Sequence, residues 1–455
     1  MPPFTVLIPT LNRCGTLAHT LESCIAQQDE NFRVVVSDNH STDETREVVE
    51  SFRKRDPRVA YAKPPHRLSM SRNFEFCIDQ VQDGFLMFLG SDDGLLPGAM
   101  PRARQCLVRH PEVKALHSAP CAAFFYPELS TDDAGLLYLR MAPMEELRSS
   151  RDWLEKIASA ERNITQLPMP YQLSWVHLSV IQRIRAISGK AIHSPIPDLF
   201  LSIASTAQTD SYVSVNPGFG IGAVSAGSNG SGTLHPKGDR KMEEIFVKEN
   251  EIPFHAKVGY TRSVPILVCE CLLQAGDAGL LPAGLQIDWE RFIARAWHQF
   301  ASEAWSEPEL KSNLDSLKFL ASHVGGGHVL EGASGPSTPQ ELVERYPFLT
   351  ESKEGEWEAV FDTRPLQMKG VHEAARLAET LMQASLRGAD AEAGGSTRDL
   401  AAWSVLQQAR QGAALQRQLR STRHESNRRA AERNRAKSML ASAREKQQHL
   451  RKKLA

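Results

Sequence analysis

The chain has 455 residues, a formal net charge of −1 and 24% charged side chains. That composition reads as a soluble globular protein with length for two or three domains and a sizeable core. Its seven cysteines are scattered without a C-x-x-C spacing, which excludes a disulfide framework and fits a reducing cytosol. No run approaches the roughly 18 apolar residues of a membrane span. Met1-Pro-Pro-Phe-Thr-Val-Leu-Ile-Pro9 has neither the basic start nor the apolar length of a signal peptide, so a cytoplasmic protein is expected.

Phe4–Ile8, closed by Pro9, reads as a first strand, and the spacing of Leu17, Leu21, Cys24 and Ile25 predicts the first helix. Arg33–Ser37 is a β-branched strand ending at Asp38. Ser41 and Glu44 have capping-box spacing, which predicts a helix through Val48, Val49 and Phe52. Val59–Ala62 is a third strand, Met70–Val81 a helix entered through Ser71-Arg72-Asn73, and Phe85–Leu89 an apolar strand too short for a buried helix. Pro97 opens a helix to about Arg109. Strand and helix thus alternate with short connections, the signature of βαβ units around a parallel sheet.

Val113–Phe125 is strand-like, and Glu145–Ala160 and Trp175–Ile187 read as helices. Ile192-His-Ser-Pro-Ile-Pro-Asp198 is a proline-bounded turn whose Asp opens a helix. Tyr212–Gly232 gives a strand and a Gly/Ser/Asn-rich loop, with His235 just after. From about Asp239 the pattern is mainly helical to Val324; glycine-rich breaks follow at 325–327 and 332–339, then a helix over Gly370–Arg387 and a linker at 388–397. The expected organisation is an α/β domain over 1–238, a helical region with flexible linkers over 239–398, and a basic helical tail over 399–455.

Two polar loops fall at the carboxyl ends of predicted strands, where open α/β sheets bind ligands. One follows Asp38; the other is Gly90-Ser-Asp92-Asp93-Gly94. Paired carboxylates there suit a hard divalent cation and a diphosphate. Asp132-Asp133 has no apolar strand before it and reads as a solvated turn. Plainer roles stand beside the chemical ones: Asp38 suits an Asx-turn, Arg72 a helix-surface charge, Asp198 a helix N-terminus and His235 an ordinary loop position. No Walker loop and no G-x-G-x-x-G opens the first helix, which argues against an NTPase or dehydrogenase.

Val6-Leu-Ile-Pro-Thr-Leu-Asn12, Val35-Val-Ser-Asp38-Asn-His-Ser41-Thr-Asp43, Arg72-Asn73 and Phe88-Leu-Gly-Ser-Asp92-Asp93 occur in an order that resembles glycosyltransferase family 2. A looser match follows at Pro197-Asp198 and Ser225–Gly230, so the resemblance covers roughly residues 1–232. It implies a GT-A fold, a Rossmann-like and mostly parallel sheet flanked by helices. It also implies an enzyme moving a sugar from a nucleoside-diphosphate sugar, a UDP-sugar, to a hydroxyl acceptor in glycan, polysaccharide or glycolipid biosynthesis, with inversion and with Mn²⁺ or Mg²⁺. By the same resemblance Pro9, Thr10 and Asn12 line the nucleotide, Asp38 accepts from the ring N–H of uracil or thymine, and Arg72 faces the diphosphate. Asp92 then touches the ribose or the metal, Asp93 ligates the metal, Asp198 is the general base, and His235 is a further metal ligand. Many relatives carry an additional Asp where this chain has Gly90. Absence of a Q-x-x-R-W sequence favours single-sugar addition over processive synthesis. The alternative is a non-catalytic scaffold built on a degenerate transferase domain.

From Arg410 onward there are 14 Lys/Arg against 3 acids, about +11, leaving about −12 on the remainder. The stretch predicts one long polar helix with leucines too sparse for a coiled-coil seam. Anionic lipid headgroups at the inner membrane face, a partner helix and plain solvation are all open uses. Without aromatic residues or a reading motif, nucleic acid is not an expected partner.

Overall fold

The computed structural model describes residues 1–228, 240–303, 305–330, 339–350 and 357–392, with five more up to residue 413. Apart from those five, the expected basic tail lies outside the described residues, and so does His235. The first elements alternate as β1 (Phe4–Thr10), α1 (Cys14–Ile25), β2 (Phe32–Asp38), α2 (Thr45–Arg55), β3 (Val59–Ala62), α3 (Met70–Ile78) and β4 (Phe85–Phe88), followed by β5 (Gly94–Leu95) and α4 (Ala99–Arg109). Next come β6 (Ala115–Ser118), β7 (Ala122–Phe125), β8 (Leu136–Leu139), β9 (Met144–Ser149), α5 (Ser150–Ala158), β10 (Ser174–His177), α6 (Leu178–Ser188), α7 (Pro197–Ala207), β11 (Ser211–Asn216) and β12 (Gly220–Val224). Helices α8 (Arg240–Glu249), α9 (Val264–Asp277), α10 (Trp289–Ser302), α11 (Glu307–Val324) and α12 (Pro339–Arg345) precede β13 (Ala359–Asp362) and α13 (Val371–Glu392).

An eight-stranded sheet runs β3-β2-β1-β4-β10-β6-β11-β9, and a five-stranded sheet runs β13-β8-β7-β12-β5. The parallel block β3-β2-β1-β4 follows from strands that are apolar on both faces. Successive residues of β1 point to opposite faces. Phe4, Val6 and Ile8 pack with Leu17, Leu21, Phe52 and Met100 on one side. Leu7 packs with Phe74, Phe88, Ile181 and Phe200 on the other. The expected class is the one observed, a mostly parallel sheet flanked by helices and then a mainly helical region. No described helix is long and apolar enough to cross a membrane.

Four local expectations are corrected. Val113–Phe125 is two strands, β6 and β7, placed in different sheets. Residues 145–149, expected as helix, are the edge strand β9 paired with β11. There the alternation is inverted: Leu147 is exposed, while Arg148 turns inward, its guanidinium 3.9 Å from the Trp153 ring centroid and bonded to Gln166. Pairing with β11 overrides the helix propensity of Glu-Glu-Leu-Arg. Residues 174–177, of which 175–177 were expected as helix, form β10, wedged antiparallel between β4 and β6, where Trp175 sits edge-on to Phe4 at 4.8 Å. The Ser41/Glu44 capping box is not formed. Ser41 Oγ instead accepts from the Asn12 N–H at 2.9 Å, and Asp43 accepts from the N–H groups of Cys14 and Thr45, so it serves the starts of both α1 and α2.

After the helices α8–α12 the chain rejoins the sheets. β13 pairs with β8, and α13 lays Val371, Ala374, Ala378 and Met382 against Leu96, Phe124 and Leu137. A half-buried ion pair, Arg102 to Glu379 at 2.8 Å, locks α4 to α13, and the Gly98 N–H donates to the same carboxylate. Burial pulls the Glu379 pKa upward, but the Arg102 bonds outweigh it and hold the group below its ordinary value. A depressed carboxylate adds stability above its unfolded pKa and loses it as pH falls through the folded one. Glu379→Ala is therefore expected to cost about 1–3 kcal/mol at neutral pH, and the deficit to shrink as the medium is acidified below about pH 4. Urea unfolding of both proteins across that pH range checks it.

Candidate active site

The carboxyl ends of β1, β2 and β4 carry the loops that the sequence singled out, and hydrogen bonds knit them together. Thr10 accepts from the Asn39 N–H through its carbonyl, while its buried Oγ1 has no partner among the described residues. Pro9, part-buried, stands in register with Ser37. Asn12 has a left-handed backbone (φ 53°), and its Oδ1 accepts from the Thr42 N–H at 2.7 Å. Arg13, which no sequence pattern marked, donates to the Gly227 carbonyl and so ties the first loop to the segment after β12.

Asp38 is buried at the end of β2. Its Oδ1 accepts from the Ser41 N–H at 2.8 Å, the Asx-turn geometry, and its Oδ2 accepts from Tyr61 Oη at 2.7 Å. Burial first, then that hydrogen bond, push the Tyr61 phenol up to about 12. Each carboxylate oxygen has two lone pairs, so Asp38 retains acceptor capacity toward a ligand. Arg72, on α3, pairs with Glu251 at 3.3 Å at an exposed position, and Arg67 pairs likewise with Glu249 at 2.8 Å.

The acidic loop after β4 divides its two carboxylates. Asp93 is turned inward: its Oδ1 accepts from the Ala223 N–H at 2.8 Å, and its Oδ2 accepts from the Gly90 N–H at 3.1 Å and from Gln172 Nε2 at 3.5 Å. The Tyr171 phenol bonds the same carboxylate. Four donors use the roughly four lone-pair sites a carboxylate offers. Asp93 is thereby a cross-link between loop, second sheet and the segment before β10. Burial first, then the Asp92 charge, raise its pKa, while the donated hydrogen bonds oppose the shift.

Asp92 faces the other way. Its Oδ2 accepts from Ser225 Oγ at 2.7 Å and from Ser228 Oγ, while its Oδ1 has no partner among the described residues. Among the described residues no group of three or more His, Cys, Asp or Glu could hold a metal ion by itself.

Asp198 lies in the first turn of α7, with its Oδ1 accepting from the Leu199 N–H at 2.9 Å. Desolvation raises its pKa. Tyr171 feels the charges of Asp93, Asp92 and Asp198 in that order, after burial itself, and its phenol is pushed well above the usual value. Tyr171, which the sequence did not mark, bonds Asp93 and lies within electrostatic range of Asp92 and Asp198. Asp132-Asp133 behaves as the plainer reading expects, in an exposed turn where Asp133 accepts from Tyr138 Oη. A surface hollow of about 520 Å³ lies instead in the helical region, between Tyr260 and Phe319. Its charged lining residues, Lys311 and Asp315, pair with each other at 2.7 Å.

Residues 5–117 match the sequence model of Glycosyl transferase family 2. The chain is 33% identical over 106 residues to the GalNAc(5)-diNAcBac-PP-undecaprenol beta-1,3-glucosyltransferase of Campylobacter jejuni, covering 23% of this chain and 34% of that protein. It is 29% identical over 195 residues to the validoxylamine A glucosyltransferase of Streptomyces hygroscopicus subsp. jinggangensis, covering 38% of this chain and 43% of the relative. The matches thus span less than half the length of these curated relatives. Among solved structures, S. aureus TarS 1–349 in complex with UDP-GlcNAc superposes with a TM-score of 0.41 at 13% identity, over 71% of this chain and 88% of that one.

Gly90 tests the inward role of Asp93. A Cβ there would stand 2.4 Å from Asp93 Oδ2 and 2.5 Å from Tyr171 Oη, neither of which can swing away without breaking its bonds. Gly90→Ala is expected to destabilise the protein by about 1–3 kcal/mol through overpacking. Denaturant unfolding measures it, and an unchanged midpoint would show that Asp93 is not held as described.

Proposed function

From the match of residues 5–117 to the Glycosyl transferase family 2 model, we propose that the chain transfers a sugar from a nucleoside-diphosphate sugar to a hydroxyl group of a glycan or lipid-linked acceptor. The observation that carries the reading is the Asp92 carboxylate, held by Ser225 and Ser228 at the carboxyl edge of the sheet. Two relatives are named glucosyltransferases, one of them for a lipid-pyrophosphate-linked acceptor, which supports the reaction class.

In this reading Pro9, Thr10 and Asn12 line the nucleoside, with the unpartnered Thr10 Oγ1 left for it. Asp38 accepts from a pyrimidine ring N–H, which favours a UDP-sugar. Arg72 exchanges Glu251 for diphosphate oxygens, an exchange that an exposed 3.3 Å pair opposes only weakly. Asp92 Oδ1 fits Mn²⁺ or Mg²⁺ in the manner of a site completed by substrate phosphates. The ion, when bound, offsets the charge of the departing diphosphate.

Asp198 takes the proton of the acceptor hydroxyl as its oxygen bonds to the anomeric carbon and the bond to the diphosphate oxygen breaks on the opposite face. The configuration inverts, and the diphosphate leaves with the electron pair. Desolvation, by raising the carboxylate's basicity, suits it to that proton transfer.

A thermal-shift panel of UDP, GDP, TDP and CMP, each with and without Mn²⁺, tests the donor site. UDP with Mn²⁺ is expected to stabilise by about 2.7 kcal/mol at a hundredfold excess over Kd, and the gain to vanish in Asp92→Ala and Asp38→Ala. Stabilisation by none of the four would remove the donor assignment and favour a scaffold. Asp198→Asn is expected to lower turnover about 10²- to 10⁴-fold with nucleotide binding unchanged; full activity in that variant would move the base elsewhere.

A further inference from the structure

Glu270, on α9 and beyond the family-matched segment, is wholly buried. A carboxylate in such a place is costly unless its acceptor sites are filled, and an apolar side chain would fill the space more cheaply. Its donors single out one neighbour. Ser194 Oγ donates to Glu270 Oε2 at 2.5 Å; Gln274 Nε2, the His255 N–H and the Cys271 thiol complete the set at 3.0, 3.3 and 3.5 Å.

Ser194, itself fully buried, passes the constraint on. Its Oγ accepts from the Ile196 N–H at 3.1 Å, and its carbonyl accepts from Ser71 Oγ at 2.9 Å, one residue before Arg72. Pro195 and Pro197 have no N–H, so Ile196 supplies the only backbone donor across those three positions, and Ser194 takes it. The turn is therefore gripped from α9 and from α3 at once, and α7 with Asp198 starts from its far end.

We propose that Glu270 is a positioning residue for Asp198, setting through Ser194 the turn from which the carboxylate is presented to an acceptor hydroxyl. The proposal rests on the assignment of Asp198 as base made above. Glutamine at 270 keeps the shape but replaces one accepting oxygen with a donating NH₂ among groups that already donate. Alanine at 194 removes the relay and leaves Glu270 in place.

Hydrogen exchange of the full chain, read by mass spectrometry over residues 192–199, tests the turn without any ligand. Glu270→Gln and Ser194→Ala are each expected to speed exchange there about tenfold, with residues 264–277 unchanged. Unaltered exchange in both variants overturns the proposal. Turnover, followed as UDP released from UDP-glucose with Mn²⁺ and water as acceptor, supplies the second arm. Glu270→Gln is expected to lower kcat about ten- to a hundredfold with KM for UDP-glucose unchanged, and to cost nothing further in an Asp198→Asn background. Full turnover in Asp198→Asn would refute the base assignment, and with it the positioning role. Lost turnover in Asp198→Asn with an unaffected Glu270→Gln would refute the positioning role alone.

Discussion

The saturated carboxylate of Asp93 is the constraint on which the site's shape depends. Its donors come from the acidic loop itself, from β12 of the second sheet and from the segment entering β10. Holding these three together fixes where β12 ends, and the serines that follow it then reach Asp92. Asp93 thus serves the architecture, while its neighbour Asp92 is held by the serines after β12. The space that Gly90 leaves empty is filled by the Asp93 oxygen and the Tyr171 phenol, so the glycine is a packing requirement of this arrangement.

The helical region is joined to the sheet domain in two ways of different strength. At the surface, Arg67 and Arg72 pair with Glu249 and Glu251, contacts that solvent screens and that contribute little to stability. In the interior, α9 packs along α7 through Leu267, Cys271 and Leu272 against Phe200 and Leu201, and the contact excludes water. The outer contacts can be exchanged while the inner ones hold. A ligand can therefore displace an acidic side chain from Arg72 without loosening the helices behind it.

How much of this was legible in the sequence depended on how local the cause was. Strands β1, β2 and β4 are buried on both faces and write themselves as apolar runs, so their carboxyl ends, with Asp38, Asp92 and Asp93, were found directly. β9 and β10 were missed because each is short, leads straight into a helix, and owes its strand state to a partner remote in the chain. Tyr61, Tyr171, Gln172 and Arg13 left no signal, since each acts on a group far away in sequence; 79 residues separate Gln172 from Asp93 and 214 separate Arg13 from Gly227. The inward turn of Asp93 is likewise a property of the assembled sheets. Spacing alone could identify an acidic pair, but not which partners each member would take.

The late return of β13 and α13 orders events during synthesis. The apolar side of β7 and β8 has no cover until Val371–Met382 have been made. Val371 also donates to the Tyr126 hydroxyl, which in turn reaches the Asp92 carbonyl. Between Phe124 and Val371 the ribosome adds roughly 250 residues, about 12–50 s of elongation, during which that surface is exposed to chaperones and to other nascent chains. The parallel block can form early from sequential strands, whereas the backing of its acidic loop is among the last parts to arrive. A pause or truncation anywhere in the helical region would thus leave a folded sheet carrying an unfinished site.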